Sequence, residues 1–142
     1  MATPAEAVRA HFHARASRDV DGAVAMFAPD VVLHLPDVVP FADQRGTERL
    51  IAVLEVALQS TDGTYAADLI DVVGGGNVAV AVVAVTATRD GAPVAYHQAW
   101  TYRFERDVVV EAWLHMDIPE VQFAALYGAG SDDVEGAGAG AA

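Results

Sequence analysis

The sequence predicts an α+β fold in which a few helices cover one face of a curved antiparallel sheet. Helical patterns dominate the first 60 residues, four strand-like segments follow, and turn signals separate those strands. A chain of 142 residues with 54% hydrophobic residues can bury the core of one domain. We place this domain at residues 1–128 and expect the Gly- and Ala-rich acidic stretch 129–142 to be a flexible tail.

The first helix has a recognisable start. Thr3 can act as its N-cap, with Pro4 at the first helical position and Glu6 as the acidic residue of a capping box. Apolar residues at helical spacing continue the pattern to about Ser17.

Two further helices follow the first. Asp19 and Asp21 begin a short helix in DGAVAMF, which Pro29 should end. The third helix begins at Thr47, where TERLIAVLEVALQS places apolar residues three and four positions apart. This spacing predicts an amphipathic helix with one face on the sheet.

Five segments have the composition of strands. One lies between the second and third helices, and the last four are separated by the turn signals GGGN and RDGAP, which predicts an antiparallel meander. The predicted strands cover residues 31–36, 65–73, 78–88, 94–104 and 108–117. Residues 120–127 have the pattern of a final short helix.

Charge and composition exclude several classes of function. The net charge is −12, so we expect neither nucleic acid nor an anionic membrane as a partner, since both attract positive surfaces. No apolar run approaches the roughly 18 residues of a membrane span, and the N-terminus has no apolar secretion signal. The lack of cysteine excludes disulfides and thiolate sites. We therefore expect a cytoplasmic protein.

The last hairpin, residues 96–117, collects the aromatic and polar side chains that could form a site. Alternate residues of a strand share one face. If Arg106 and Asp107 are the two turn residues, the register places eight side chains on one face of the hairpin. The four predicted pairs are Tyr102 with Glu111, Trp100 with Trp113, Gln98 with His115, and Tyr96 with Asp117. His97 falls on the opposite, mostly small and aliphatic face, and we exclude it from the site.

This face could support proton transfer on a carbonyl compound. Aromatic, partly dry surroundings would disfavour the charged form of Asp117 and raise its pKa, so that Asp117 could act as general acid and base with help from His115. The substrate-binding candidates are Tyr96, Gln98, Trp100, Tyr102 and Trp113. Their polar groups could hydrogen-bond a carbonyl or enolate oxygen, and their rings could pack against a ring system.

The same residue types also fit a site without chemistry. Tyr and Trp are routinely buried with polar partners in an ordinary core or an interface, and an Asp at a strand end can cap a following helix. His34, a further substrate-binding candidate, points opposite to its two flanking leucines, and a structural role is the alternative that residue type favours for it. None of the five histidines has a metal-ligand spacing, although His11 shares a helix face with Arg15. GGGN is a hairpin turn and not a phosphate loop, so we expect neither a metal nor a cofactor.

Three stretches resemble the SnoaL-like branch of the NTF2-like superfamily: RDVDGAVAMFAPDVVLHLP, RGTERLIAVL and YRFERDVVVEAWLHMD, within residues 4–127. The resemblance implies a cone-shaped fold whose curved sheet and helices enclose a pocket, and a homodimer formed through the sheet. In the polyketide cyclases of this branch, the last Asp of a V-x-E-x-W-x-x-x-D ending is the catalytic acid/base. That position is Asp117 here, with Trp113 at the Trp position, and an H-x-P after the first strand matches His34 and Pro36.

The resemblance also has departures. The ketosteroid isomerases of the superfamily carry a base near the end of the first strand, where this chain has Leu35. Their two oxyanion donors fall near His11 and Trp100. Steroid isomerisation by those groups is therefore not expected.

Three functions stay open from the sequence. The leading hypothesis is a cofactor-free enzyme that cyclises, isomerises or otherwise transfers protons on a hydrophobic, carbonyl-bearing, polyketide-like molecule. The second is a non-catalytic module that binds an apolar ligand in the same pocket. The third is a dimerisation domain whose own side chains fill the cavity.

Overall fold

A computed structural model describes residues 2–36 and 45–118. The helices of this part are α1 (Pro4–Ala16), α2 (Val20–Val24) and α3 (Thr47–Ser60). The strands are β1 (Phe27–His34), β2 (Ala66–Gly75), β3 (Val78–Arg89), β4 (Ala92–Glu105) and β5 (Val108–Met116). The α+β class and the order of elements are as predicted. The predicted helix at 120–127, the domain end at residue 128 and the tail 129–142 lie outside the described residues.

The strands form one open, curved sheet in the order β1-β5-β4-β3-β2. Strands β2 to β5 make the predicted antiparallel meander, and β1 joins β5 in parallel. Strand β1 starts earlier than predicted, so Pro29 lies within it and does not end the preceding helix. A proline without an N–H donor is tolerated there because β1 is an edge strand with a register shift between Phe27 and Val32.

Side-chain caps fix the starts of α1 and α2. The backbone N–H of Glu6 donates to Thr3 Oγ1 at 3.2 Å, and the Thr3 N–H donates to Glu6 Oε1 at 2.8 Å. This reciprocal pair is the predicted capping box. Asp19 caps α2 by accepting from the Gly22 N–H at 3.0 Å.

The core lies between the helices and one face of the sheet, which we call the inner face. On this face α1 contributes Val8 and Phe12, and alternate residues of β3, from Ala79 to Ala87, are buried. The other face, which we call the outer face, leaves Val78 and Val82 exposed. Because side chains alternate along a strand, the face of each residue follows directly from its register.

The β4–β5 hairpin contradicts the predicted register. Arg106 and Asp107 do form the turn, both with positive φ, as in the tight turns that suit hairpins. The ladder then shifts, because Phe104 pairs with Val109 but Arg103 pairs with Glu111. Beyond this β-bulge, each residue of β4 pairs with the β5 residue that comes one position after its predicted partner. The four predicted pairs, Tyr102–Glu111, Trp100–Trp113, Gln98–His115 and Tyr96–Asp117, are therefore wrong.

Candidate functional site

The bulge divides the eight hairpin residues between the two faces of the sheet. The four from β4 are buried on the inner face: Tyr96, Gln98, Trp100 and Tyr102. The others are on the outer face: Glu111, Trp113, His115 and Asp117. A one-residue slip exchanges the faces of all the side chains beyond it, so the single aromatic and polar face that the sequence predicted does not exist.

The inner group forms a short buried row of polar contacts. The indole Nε1–H of Trp100 donates to Gln98 Oε1 at 3.1 Å, and Gln98 Nε2 donates to the hydroxyl of Tyr65 at 3.4 Å. The ring of Trp100 stacks on that of Tyr102, with the planes at 3° and the centroids 5.8 Å apart. These contacts satisfy the polar atoms of Gln98, as a buried amide requires.

His11 is a buried member of the same interior that the sequence reasoning left out of the site. Its Nδ1 lies 2.6 Å from the carbonyl oxygen of Ala23. A carbonyl can only accept, so Nδ1 carries the hydrogen and Nε2 is the acceptor nitrogen of the ring. Burial, followed by the positive charge of Arg15, lowers the pKa of His11 to about 3, although the bond to Ala23 acts in the opposite direction. Burial also raises the pKa of Tyr102, so both side chains are neutral at pH 7.

Asp117 is on the outer face, away from the buried row. Its Oδ1 accepts from the backbone N–H of His97 at 2.6 Å, and its Oδ2 lies 3.1 Å from His97 Nδ1. The side chain is 60% exposed. The hydrogen bond from the His97 backbone is the main reason that the pKa of Asp117 is lowered. The predicted rise of this pKa is therefore wrong, and the partner is His97, which the sequence reasoning had excluded, and not His115.

Two of the other outer residues, Glu111 and Trp113, form an ionic and aromatic cluster with His34 and Arg103. His34 Nε2 lies 2.6 Å from Glu111 Oε2, and the His34 ring stacks on Trp113 at 5.2 Å between centroids. Arg103 donates to Glu111 Oε1 at 3.1 and 3.2 Å. The bond from His34, followed by that from Arg103, lowers the pKa of Glu111. The structure thus brings His34 and Trp113 together, but on the face opposite to the buried row.

A cavity of about 320 Å³ lies between the end of α1, α2, α3 and the start of β2. Its walls are mainly apolar, with Val24, Leu54 and Leu58 among the lining residues. Tyr65 also lines it and, through its hydroxyl, connects the cavity to Gln98. None of the eight hairpin residues lines the cavity. Tyr65 was missed because a single Tyr at the start of a strand carries no sequence signal of a site.

The described part of the chain offers neither a metal site nor a membrane-spanning helix. Residues 2–36 and 45–118 contain no group of three His, Asp or Glu side chains placed to hold a metal ion. The helices of that part include none that is both long and apolar enough to cross a bilayer.

With this geometry established, comparison with known proteins identifies the family. The family model described as the SnoaL-like domain matches residues 8–112 of this chain. The chain belongs to the SnoaL-like domain family. No curated protein is similar enough to the chain to count as a match.

Solved structures share the fold of this SnoaL-like domain at low sequence identity. Bal32a, from a soil-derived mobile gene cassette, superposes with a TM-score of 0.77 at 22% identity, covering 87% of this chain and 95% of its own. Wild-type IdmH from Streptomyces antibioticus, described as a "putative polyketide cyclase", has a TM-score of 0.74 at 21% identity, over 90% and 100% of the two chains. TerC, co-crystallised with polyporic acid, has a TM-score of 0.72 at 16% identity, over 87% and 97%. These similarities establish the NTF2-like fold.

Proposed function

We propose that this SnoaL-like domain binds a hydrophobic, carbonyl-bearing small molecule in the cavity between the three helices and β2. The observation that carries the proposal is the cavity itself, which is mainly apolar and, among the described residues, has Tyr65 as the lining residue that bears a hydroxyl. Its volume of about 320 Å³ is within the range typical of small-molecule sites. An apolar enclosure with a few placed polar groups binds a ligand by burial and orients it by hydrogen bonding.

The names of two structural relatives support the same class of ligand. IdmH is described as a "putative polyketide cyclase", and TerC was crystallised with polyporic acid. Both names associate the fold with cyclic, oxygen-rich molecules. For this chain we infer a ligand of that kind: a ring system that fills the apolar cavity and a carbonyl oxygen that accepts from Tyr65.

The reaction that we propose for the domain is cofactor-free proton transfer, leading to cyclisation or isomerisation of the bound molecule. The inner residues Tyr96, Gln98, Trp100 and Tyr102 do not line the cavity themselves. They would support the substrate indirectly, from the side of Tyr65 that faces away from the cavity. Asp117 and His115 as acid/base residues, and Trp113 and His34 as substrate contacts, stay predictions. For Asp117 that role requires a substrate that reaches the outer face.

Binding without catalysis is the second candidate. One observation favours it: the buried polar side chains of the described residues are His11, Thr61 and Gln98, and none of these is a carboxylate. A neutral, buried His with a pKa of about 3 is a weak base.

The cytoplasmic location and the homodimer through the sheet also stay predictions.

A pair of substitutions on α3 tests the binding site. Leu58 lines the cavity, whereas its neighbour Gln59 is exposed on another side of the helix. Leu58→Trp should weaken the binding of 2-acetylnaphthalene, an uncharged aromatic ketone, by more than about tenfold, because the indole occupies the cavity. Gln59→Trp should leave the affinity unchanged. Titration calorimetry measures both, and equal affinity in the two variants would place the ligand elsewhere.

Catalysis needs a separate test. Candidate polyketide-like ketones are incubated with the wild type, with Tyr65→Phe and with Asp117→Asn, and products are followed by chromatography. Loss of turnover in Tyr65→Phe with full turnover in Asp117→Asn would place the reaction in the cavity and contradict the prediction that Asp117 is the acid/base. Loss of turnover in Asp117→Asn alone would move the reaction to the outer face. No turnover of any ketone, with binding retained, would favour the non-catalytic function.

A further inference from the structure

Among the described residues that line the cavity, Arg15 is the charged one that is partly buried, whereas Arg18, Asp19, Glu55 and Asp68 are exposed. The guanidinium carbon of Arg15 lies 4.9 Å from the centre of the Phe12 ring. In residues 2–36 and 45–118, no carboxylate stands within ion-pair distance of it, whereas Arg9 pairs with Asp71 and Arg103 pairs with Glu111. A cation packed on an aromatic ring and facing a cavity is available for a ligand.

The charge of Arg15 acts on two buried neighbours. The positive charge of Arg15 contributes, after burial, to the lowered pKa of His11, and it partly offsets the rise that burial causes in the pKa of Tyr102. Both groups are buried on the inner side of the fold. Arg15 stands one helical turn after His11 on α1, so its charge is close enough to act on both buried groups.

The other charged residues that the structure describes in the cavity wall are exposed, and we call them the rim. Asp19, Glu55 and Asp68 are all exposed, and Asp19 already accepts a hydrogen bond from the Gly22 N–H. Arg18 is exposed as well and donates to the carbonyl oxygen of Gly63 at 3.2 Å. In water these rim charges interact only weakly with a ligand. Among the described residues of the cavity wall, Arg15 is therefore the charge that solvent screens least.

We infer that the cavity prefers a ligand that carries an anionic group, a carboxylate or an enolate, on its apolar body, with Arg15 as the counter-ion. The inference rests on the proposed binding function and specifies the class of its ligand. The net charge of −12 would otherwise disfavour anions, so the local cation is what permits them. The planar guanidinium fork suits both oxygens of a carboxylate.

Two probes of the same shape but different charge test the inference. 2-Naphthoate and 2-acetylnaphthalene differ only in having a carboxylate oxygen or a methyl group on the same carbonyl carbon. The wild type should bind 2-naphthoate about tenfold more tightly, the effect of one charge-assisted hydrogen-bonded pair. Arg15→Gln should abolish this preference by weakening the binding of 2-naphthoate about tenfold, and circular dichroism verifies that the variant is folded. Arg18→Gln, at the rim, should keep the preference.

The outcomes separate the inference from the proposed function. Equal affinity of the wild type for the two probes, or the same preference in Arg15→Gln, overturns the inference and leaves the binding function intact. Tighter binding of 2-naphthylmethylammonium than of 2-naphthoate overturns it in favour of the rim carboxylates. If neither naphthalene probe binds, the proposed function fails and the inference fails with it.

Should Arg15→Gln not fold, Arg15→Lys is the second variant. It is expected to bind 2-naphthoate about threefold more tightly than the ketone, because lysine keeps the charge but loses the guanidinium fork. An unchanged tenfold preference in Arg15→Lys refutes the role of the fork.

Discussion

Acidification from pH 8 to pH 5 should destabilise the domain through His11. The pKa of His11 is about 3 in the folded state, because the ring is buried and Arg15 is near, while an unfolded chain has the ordinary value of 6.5. Between these two values the unfolded state binds one more proton than the folded state. The free energy of unfolding must therefore fall as the pH falls below about 6.5.

The size of the effect follows from the same two pKa values. Each pH unit between the two values costs about 1.4 kcal/mol, so the loss at pH 5 relative to pH 8 is about 2 kcal/mol. The pKa values of Glu6, Glu111 and Asp117 are lowered from values of 4.5 or 3.8, and these groups act below that range. The window from pH 8 to pH 5 therefore excludes their contribution.

The assay is urea unfolding at pH 8, 7, 6 and 5, followed by circular dichroism. His11→Asn is the matched control, because its amide N–H can still donate to the Ala23 carbonyl but it has no proton to gain. The variant is expected to have a lower stability at pH 8, since it is smaller, and little further change toward pH 5. Parallel pH profiles for the wild type and the variant would show that His11 is not held neutral in the folded state, and would refute the reasoning.

Two further predictions concern the helix cap and the outer face. Thr3→Ala removes the hydroxyl that accepts from the Glu6 N–H and should lower the free energy of unfolding by about 1 kcal/mol, measured by urea unfolding; a change near zero would mean that water replaces the cap. Val82 is 39% exposed on the outer face, and if the domain dimerises through that face, Val82→Asp should convert the dimer into monomer in light scattering. Gln59→Asp, on α3, is the control and should keep the oligomeric state, and a dimer that survives Val82→Asp would place the interface elsewhere.

Local sequence patterns determined most of the secondary structure that is described, although β1 starts at Phe27 and not at residue 31 as predicted. Thr3 and Glu6 specified a capping box through contacts three residues apart, and the apolar spacing from Thr47 onward specified α3 to the observed residue. Alternating side chains and turn residues such as Arg106 and Asp107 specified the meander. These features depend on residues that are close together in the chain, so the sequence alone contains the information that decides them.

The tertiary structure alone decided which side chains meet. The bulge after Val109 depends on how the whole sheet twists and packs, and this one extra residue moved Trp113, His115 and Asp117 to the outer face. Likewise, Arg15 and Tyr65 are far apart in the chain and line one cavity only because α1 packs against the sheet. A site is built from contacts between distant segments, and a local pattern carries no information about those contacts.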